Sequence, residues 1–246
     1  MENAIFVGLS RQMVLQRQMD AVANNIANMN TAGYRSQQML FETYLADVDD
    51  PGPGQGHEMS MVIDQAMVAD LRPGPLVETG NEFDLALMGD GFLRVQTPSG
   101  PRYTRSGHLS LDGQRQLVNT SGLPLLTADG GTITIPAGTE RITITEDGTV
   151  SADNAQVGRI DIVEFDEPHR LEPLGASLFV TNEAPRPAEA TTVMQGAIES
   201  SNVEPIVEMT QMIAIARAYE TTQQILQNEH ERQQSAIRRL GQMAST

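Results

Sequence analysis

Four histidines are the first place to look for chemistry in this chain: His57, His108, His169 and His230. None stands one helical turn from another, and none has the carboxylate spacing that holds a metal ion. His108 is expected to serve structure or to face solvent. Gly89-Asp90-Gly91 opens like a dinucleotide fingerprint, but the third glycine is missing and no helix pattern follows. A hairpin turn explains it better. The Asp-Gly pairs lack the alternating oxygen ligands of a calcium loop. Ser106-Gly107 does not sit in a nucleophile elbow. Glu229 to Arg232 and Arg238-Arg239 are mixed charges that read as a solvated helix face. With no cysteine there is also no thiolate to act as nucleophile, metal ligand or disulfide partner. The expectation is therefore no catalytic site, no metal site and no cofactor.

Composition narrows the partners. Sixteen basic residues face 32 acidic ones, a formal net charge of −16. A surface this acidic disfavours nucleic acid and anionic membrane. Aromatics are 4% of the chain and Trp is absent, so the core must come from Leu, Ile, Val and the 13 methionines. Met adapts its shape and suits surfaces that repack between partners. No stretch approaches the ~20 apolar residues of a membrane helix. The run Ala4 to Leu9 is too short for a secretory signal and has no basic leader. That pattern by itself points to the cytosol, and it equally fits a route that bypasses general secretion.

The elements that would position any site fall into three kinds. Residues 4 to 29 predict a helix. Ile5, Leu15, Met19, Val22, Ile26 and Met29, with Gly8 and Gln12, fill a strict 3-4-3-4 ladder. Residues 202 to 240 predict a longer helix with an apolar stripe of Met209, Met212, Ile213, Ala216, Tyr219 and Leu226. Ser201-Asn202-Val203-Glu204 has capping-box spacing, Pro205 falls in the first turn, and Gly241 is expected to end the helix. Between them the period changes. Phe83 to Met88, Phe92 to Thr97, Leu117 to Asn119, Thr132 to Ile135, Arg141 to Ile144, Val157 to Val163 and Leu178 to Thr181 predict short strands. Asp90-Gly91, Asp112-Gly113, Asp129-Gly130 and Asp147-Gly148 supply hairpin turns. Proline- and glycine-rich clusters at 51–56 and 184–188 act as breakers.

The expected fold class is α+β: long terminal helices paired as an antiparallel coiled coil, with a central all-β domain of short strands. The expected organisation is an N-terminal helix region 1–34, an extended connector 35–80, a β domain 81–185, a second connector 186–200 and a C-terminal helix region 201–246. A lone helix of ~25 residues is marginal in water, so the stripes must bury against each other, against the β domain or against other chains. Asn24 and Asn25 sit inside the first helix pattern. A buried Asn can set register in a coiled coil at a cost in stability, and an Asn facing solvent is an equal reading.

Three segments together resemble a known family. Val7-Gly8-Leu9-Ser10-Arg11-Gln12, with Asn24-Asn25-Ile26-Ala27-Asn28 and Thr31-Ala32-Gly33-Tyr34-Arg35, is similar to the N-terminal signature of the flagellar rod and hook axial proteins. Phe83 to Phe92 followed by Tyr103-Thr104-Arg105-Ser106-Gly107-His108-Leu109 resembles a motif of that family's first globular domain. Gly196-Ala197-Ile198-Glu199-Ser200-Ser201-Asn202-Val203 is similar to the family's lead-in to the last helix. The opening and the length most resemble the proximal rod branch; distal rod and hook members share the other motifs.

The resemblance implies a structural subunit without a catalytic site, a small-molecule substrate or a nucleic-acid partner. It implies assembly with further copies of itself and with proximal and distal rod subunits. It also implies uncleaved export through the flagellar type III apparatus to the periplasm-spanning rod of the basal body. It gives Ile5, Leu15, Met19, Val22 and Ile26 a packing role against Met209, Met212, Ile213, Ala216, Tyr219 and Leu226, within and between subunits. Asn24, Asn25 and Asn28 would hydrogen-bond across subunits, and Gly33 would permit the turn out of the helix. A different class, a periplasmic wall-glycan-binding adaptor, would need an aromatic platform, for which Phe83, Phe92, Tyr103, Phe165 and Phe179 are available.

Overall fold

The structure is a computed structural model that describes residues 2–48 and 57–243, with side chains for 6–40, 67–235 and 238. It is a mixed helix and sheet protein, with one helix near each end and a strand-rich region between them. The Pro51–Gly56 breaker cluster lies outside the described residues. The chain divides into two compact units.

The helical unit contains α1 (Glu2–Ala27), α2 (Pro205–Met243) and most of a two-stranded ribbon of β1 (Gln37–Val48) and β2 (His57–Ala69). α1 carries no Pro, and its buried positions recur at Leu15, Val22 and Asn25. After Ala27 the chain turns through bonds from the Thr31 N–H to the Asn28 carbonyl (3.0 Å) and from the Tyr34 N–H to the Thr31 carbonyl (3.2 Å). The proposed capping box is not used. α2 begins at Pro205, and the Ser201 hydroxyl instead accepts from the nearby Val203 N–H at 3.2 Å. Gly241 does not end α2, which continues to Met243. With only one glycine in that last turn, the hydrogen-bond ladder simply runs past it.

The buried and half-buried positions of α2 are Glu208, Met212, Ile215, Tyr219, Thr222, Leu226, Glu229 and Gln233, among others. They follow a 4-3-4-3 step, the spacing that keeps one seam on one side of a helix. Two contacts join this seam to α1. The Asn25 Nδ2 donates to Glu208 Oε1 at 3.1 Å, and a Cβ on Gly8 would lie 2.6 Å from Leu226 Cδ2. Moving from Gly8 to Asn25 along α1 means moving from Leu226 back to Glu208 along α2, so the two helices run in opposite directions.

The β unit spans Ala27–Gln37 and Val68–Glu204. Its strands are β3 (Leu76–Glu78), β4 (Leu85–Met88), β5 (Phe92–Thr97), β6 (Gly100–Thr104), β7 (Leu109–Leu111), β8 (Leu117–Asn119), β9 (Ile142–Ile144), β10 (Thr149–Ala152), β11 (Ala155–Arg159), β12 (Ile162–Glu164), β13 (Glu172–Pro173), β14 (Leu178–Val180), β15 (Arg186–Pro187), β16 (Thr192–Gln195) and β17 (Ala197–Glu199). The largest sheet has the order β13-β14-β6-β5-β12-β15, and β11-β10-β9 form a second. β16 pairs with β4, β17 with β3 and β7 with β8, all antiparallel. Several strands were not anticipated: those inside the expected connectors 35–80 and 186–200, and β6, β7, β10 and β13. Most are short, and β17 and β3 pair residues about 120 positions apart, which no local pattern announces. Thr132 to Ile135 forms only isolated bridges, at Thr132 and Thr134.

Leu85, Leu93, Val95, Leu117, Leu125, Ile133, Val150 and Val193 are almost wholly buried in one core. A second core stacks aromatic rings edge to face, with Phe92 5.9 Å from Phe165 and 5.7 Å from Phe179, and Tyr103 4.8 Å from Phe165. Two of the four Asp-Gly turns place Gly at positive φ, Gly130 at 80° and Gly148 at 81°. At Asp112-Gly113 the left-handed residue is Arg115, and the Asp112 carboxylate holds the turn by accepting from the Gln114 and Gln116 N–H groups, each at 2.8 Å.

Candidate functional site

The assembly residues expected from sequence fall on more than one face of the helical unit, except Asn28 and Gly33, which lie in the β unit. Leu15, Val22 and Asn25 are buried, and Met19, Ile26, Asn28, Met212, Ala216, Tyr219 and Leu226 are half-buried. Asn24 is exposed, and so are Met209 and Ile213. The Ile5 side chain lies outside the described residues. The residues read as one stripe on α2 thus split: Met212, Tyr219 and Leu226 line the seam, while Met209 and Ile213 face away. Ranking positions by apolarity missed Glu208 and Thr222, which are polar and buried in the seam.

The outward apolar residues form two groups. On α1 these are Phe6 (61% exposed), Leu9 and Met13, with Val7 beside them; on α2 they are Ile206 (82% exposed), Met209 and Ile213, with Val207 beside them, while Ile225 is exposed on its own farther along α2. Each group follows a 3-4 step and so shares one helix face. Because the helices run in opposite directions, the first group lies near the Leu226 end of the pair and the second near the Asn25 end. At ~1.5 Å per residue the two ends are about 25 Å apart.

Glu208 sits in the first turn of α2. Burial pushes its carboxyl above the usual range, against the opposing hydrogen bond from Asn25. Its Oε2 has no partner among the described residues.

Within the β unit a second arrangement gathers residues from far apart in sequence. Glu199, 1% exposed, receives Arg35 Nη2 at 2.6 Å on Oε1 and Arg105 Nε at 3.0 Å on Oε2. The Gly74 N–H donates to Oε1 at 2.9 Å, and the Gly33 N–H donates to the Glu199 carbonyl at 2.7 Å. Arg105 also donates to the carbonyls of Gly91 and Leu87, and its guanidinium lies 5.6 Å from the centre of the Phe92 ring. Burial pulls the Arg105 pKa below its ordinary value, and the Glu199 charge opposes that pull. Nε and Nη1 of Arg35 have no acceptor among the described residues. A cleft of about 260 Å³ lies alongside, lined by Arg35, Arg105, Phe92, Phe165, Asp90 and Glu164 among others.

The chain around this triad leaves no room for side chains. Gly33 has φ +66°, and a Cβ there would lie 2.3 Å from the Ser106 nitrogen. Asn202 completes the junction: its Oδ1 accepts from the Ser36 N–H at 2.7 Å, and its Nδ2 donates to the carbonyls of Asp70 (2.8 Å) and Arg72 (3.0 Å). Sequence reasoning singled out Gly33 but not Glu199, Arg35, Arg105 or Asn202 as functional. The available signal was that a charged residue recurred inside each of the three quoted motifs.

His108 Nδ1 lies 2.8 Å from Asp84 Oδ1, whose other oxygen accepts from the Thr79 hydroxyl at 2.7 Å. Among the described residues no three His, Asp or Glu side chains converge as a metal site, and no helix is long and apolar enough to cross a membrane. Phe92, Tyr103, Phe165 and Phe179 face the core, so they do not form an aromatic platform.

Three family descriptions match separate stretches of the chain. "Flagella basal body rod protein" covers residues 5–35, "Flagellar hook protein FlgE/F/G D1 domain" covers 86–152, and "Flagellar basal body rod FlgEFG protein C-terminal" covers 194–239. Each contributes one member of the triad: Arg35, Arg105 and Glu199. The flagellar basal-body rod protein FlgF of Caulobacter vibrioides is 39% identical over 245 residues, 99% of this chain and all of the relative. The chain belongs to the flagellar basal-body rod protein family. The FlgF of Mesorhizobium japonicum is 32% identical over 98% of the chain and 99% of its own length. The rod protein FlgG of Bacillus subtilis is 29% identical over 94% of the chain and 96% of its own length. As a rod-family member the chain is a structural axial component of the flagellum, and none of these matches names a catalytic activity.

Proposed function

We propose that this chain is a FlgF-type subunit of the proximal rod, which polymerises through its terminal helices into the drive shaft required for motility. In this reading it is not an enzyme. It reaches the rod through the type III export apparatus, and its neighbours are further copies of itself and other rod subunits. α1 and α2 pair as an antiparallel coiled coil, which the 4-3-4-3 seam and the contacts at Gly8 and Asn25 support.

The observation that carries the proposal is the pair of apolar groups at opposite ends of the helix pair. Phe6, Leu9 and Met13 are presented at one end, and Ile206, Met209 and Ile213 at the other. Two different patches at opposite ends meet head to tail, not face to face, and such a contact repeats as an open stack wherever its rotation does not close a ring. Burying one such side chain contributes ~1.5–3 kcal/mol, so a few per contact hold a stack. Leu15, Met19, Val22, Ile26, Met212, Ala216, Tyr219 and Leu226 stiffen the pair itself. Asn24 and Asn28 would bond to neighbouring chains. Asn25 fixes register against Glu208 instead.

The absence of cysteine makes the test clean. The double variant Leu9→Cys/Ile213→Cys, cross-linked in assembled basal bodies with a short bifunctional thiol reagent, should give a ladder of multimers. Each single variant should give none. A lone dimer band from either single variant would mean a face-to-face contact and would defeat the reading.

A further inference from the structure

We propose that Glu199 is the closing charge of the β unit, so that this unit cannot complete its fold until residues 192–203 have joined it. The inference stands on the triad and the strand order, independently of the polymer reading.

Everything the last segment brings is structural and arrives late in the chain. Thr192–Gln195 gives β4 its partner strand, and Ala197–Glu199 gives β3 its own. The Gln195 side chain accepts from the Ile144 N–H at 3.0 Å and donates to the Ile142 carbonyl at 3.0 Å. One amide thereby imitates a strand along the open edge of β9. Val193 and Ala197 are almost fully buried. An earlier chain lacks all of this, and exposed strand edges invite wrong pairing.

The charge term is sharper. Arg35 and Arg105 are both buried, and Glu199 is the carboxylate that both touch. Without it, closing the unit would bury two like charges side by side. An uncompensated buried charge is strongly unfavourable, whereas an apolar replacement of a whole ion triad is tolerated or favoured. The arginines are therefore compatible with an open chain and incompatible with a closed one until residue 199 arrives. Gly33, whose N–H binds the Glu199 carbonyl, and Asn202, which binds Ser36, Asp70 and Arg72, are set by the same event. A subunit made from its N-terminus would thus stay open along residues 68–191 and close in one late step.

Two measurements on the full chain test this. Urea unfolding can be followed by tyrosine fluorescence, because Tyr34 and Tyr103 are buried in this unit. Glu199→Gln should lower the folding equilibrium constant about 10²- to 10³-fold. The variant Arg35→Met/Glu199→Leu/Arg105→Leu should recover to within about tenfold of the parent. Glu199→Gln within threefold of the parent would overturn the proposal, as would a triple variant no better than Glu199→Gln. The order of events is read from ribosome-arrested chains carrying C-terminal linkers of graded length. Protease protection of residues 68–191 should appear only once residue 203 has emerged. Protection with residue 191 as the last to emerge would overturn it.

Discussion

Two buried glutamates, one in each unit, have opposite surroundings. Glu199 in the β unit is met by two guanidinium groups and a backbone N–H. Glu208 in the helical unit is met by the amide of Asn25, and its second oxygen is unpaired among the described residues. The apolar residues differ in degree, since the β unit also exposes Leu76, Val77, Met88 and Leu174. The β unit folds Leu85, Leu93 and Val193 almost entirely out of water, whereas the helical unit leaves Phe6, Leu9, Ile206 and Ile213 exposed. The lesson is that one region answers its buried carboxylate from within, whereas the other leaves a carboxylate oxygen and a set of helix side chains for contacts outside itself to satisfy. A rod subunit needs both: a body that holds its shape and helices that remain receptive.

The contrast can be broken most forcefully from the β side. A Cβ at Gly107 would lie 1.8 Å from the Leu85 carbonyl oxygen, backbone that cannot move aside cheaply. Gly107→Ala should abolish cooperative unfolding of the β unit by circular dichroism. Next, Leu93→Ala opens a cavity at a position with no solvent exposure and should cost about 2–5 kcal/mol in urea titration. The paired control is Ile206→Ser with Phe6→Ser. It should leave monomer unfolding within about 0.5 kcal/mol, as surface changes do, while swimming in soft agar is lost. If these two changes unfold the monomer instead, the helices are not receptive but self-sufficient.

A smaller effect probes the seam. Gly8→Val places new carbons against Leu226 and should loosen the helix pair by about 1–3 kcal/mol, seen as lost helical signal with the β unit intact. The smallest concerns Glu208. Its folded pKa lies above the unfolded one because burial penalises the charge. The folded state therefore holds more protons, and helix-pair stability falls as pH rises from the unfolded to the folded pKa. Glu208→Gln should flatten that slope and modestly stabilise the pair at neutral pH, as read by thermal melts at pH 4 and pH 7.

Much of the architecture was legible because it rests on local pattern. The ladder through Leu15, Met19 and Val22 announces α1, and the Gly130 and Gly148 turns follow from Asp-Gly chemistry. What stayed hidden depends on partners far away in sequence. β3 and β17 are three residues each and acquire meaning only by pairing. Ser201-Asn202-Val203-Glu204 has the spacing of a cap, yet Asn202 is drawn off to Ser36, Asp70 and Arg72. Met209 and Ile213 look like Met212 on paper, and a helix wheel cannot tell inward from outward when two apolar stripes share one helix. The triad was hidden for the same reason: Arg35, Arg105 and Glu199 are ordinary surface residues until the fold brings them together.

One dimension of the helix pair reaches beyond the chain. α1 starts six residues before Gly8, so its first turn comes level with Arg232, six residues after Leu226. α2 continues to Met243, an overhang of about 16 Å at ~1.5 Å per residue. A few turns standing alone fray in water. In the proposed stack that overhang would serve as the tongue of a lap joint, and its helicity would gauge how far the stack has grown.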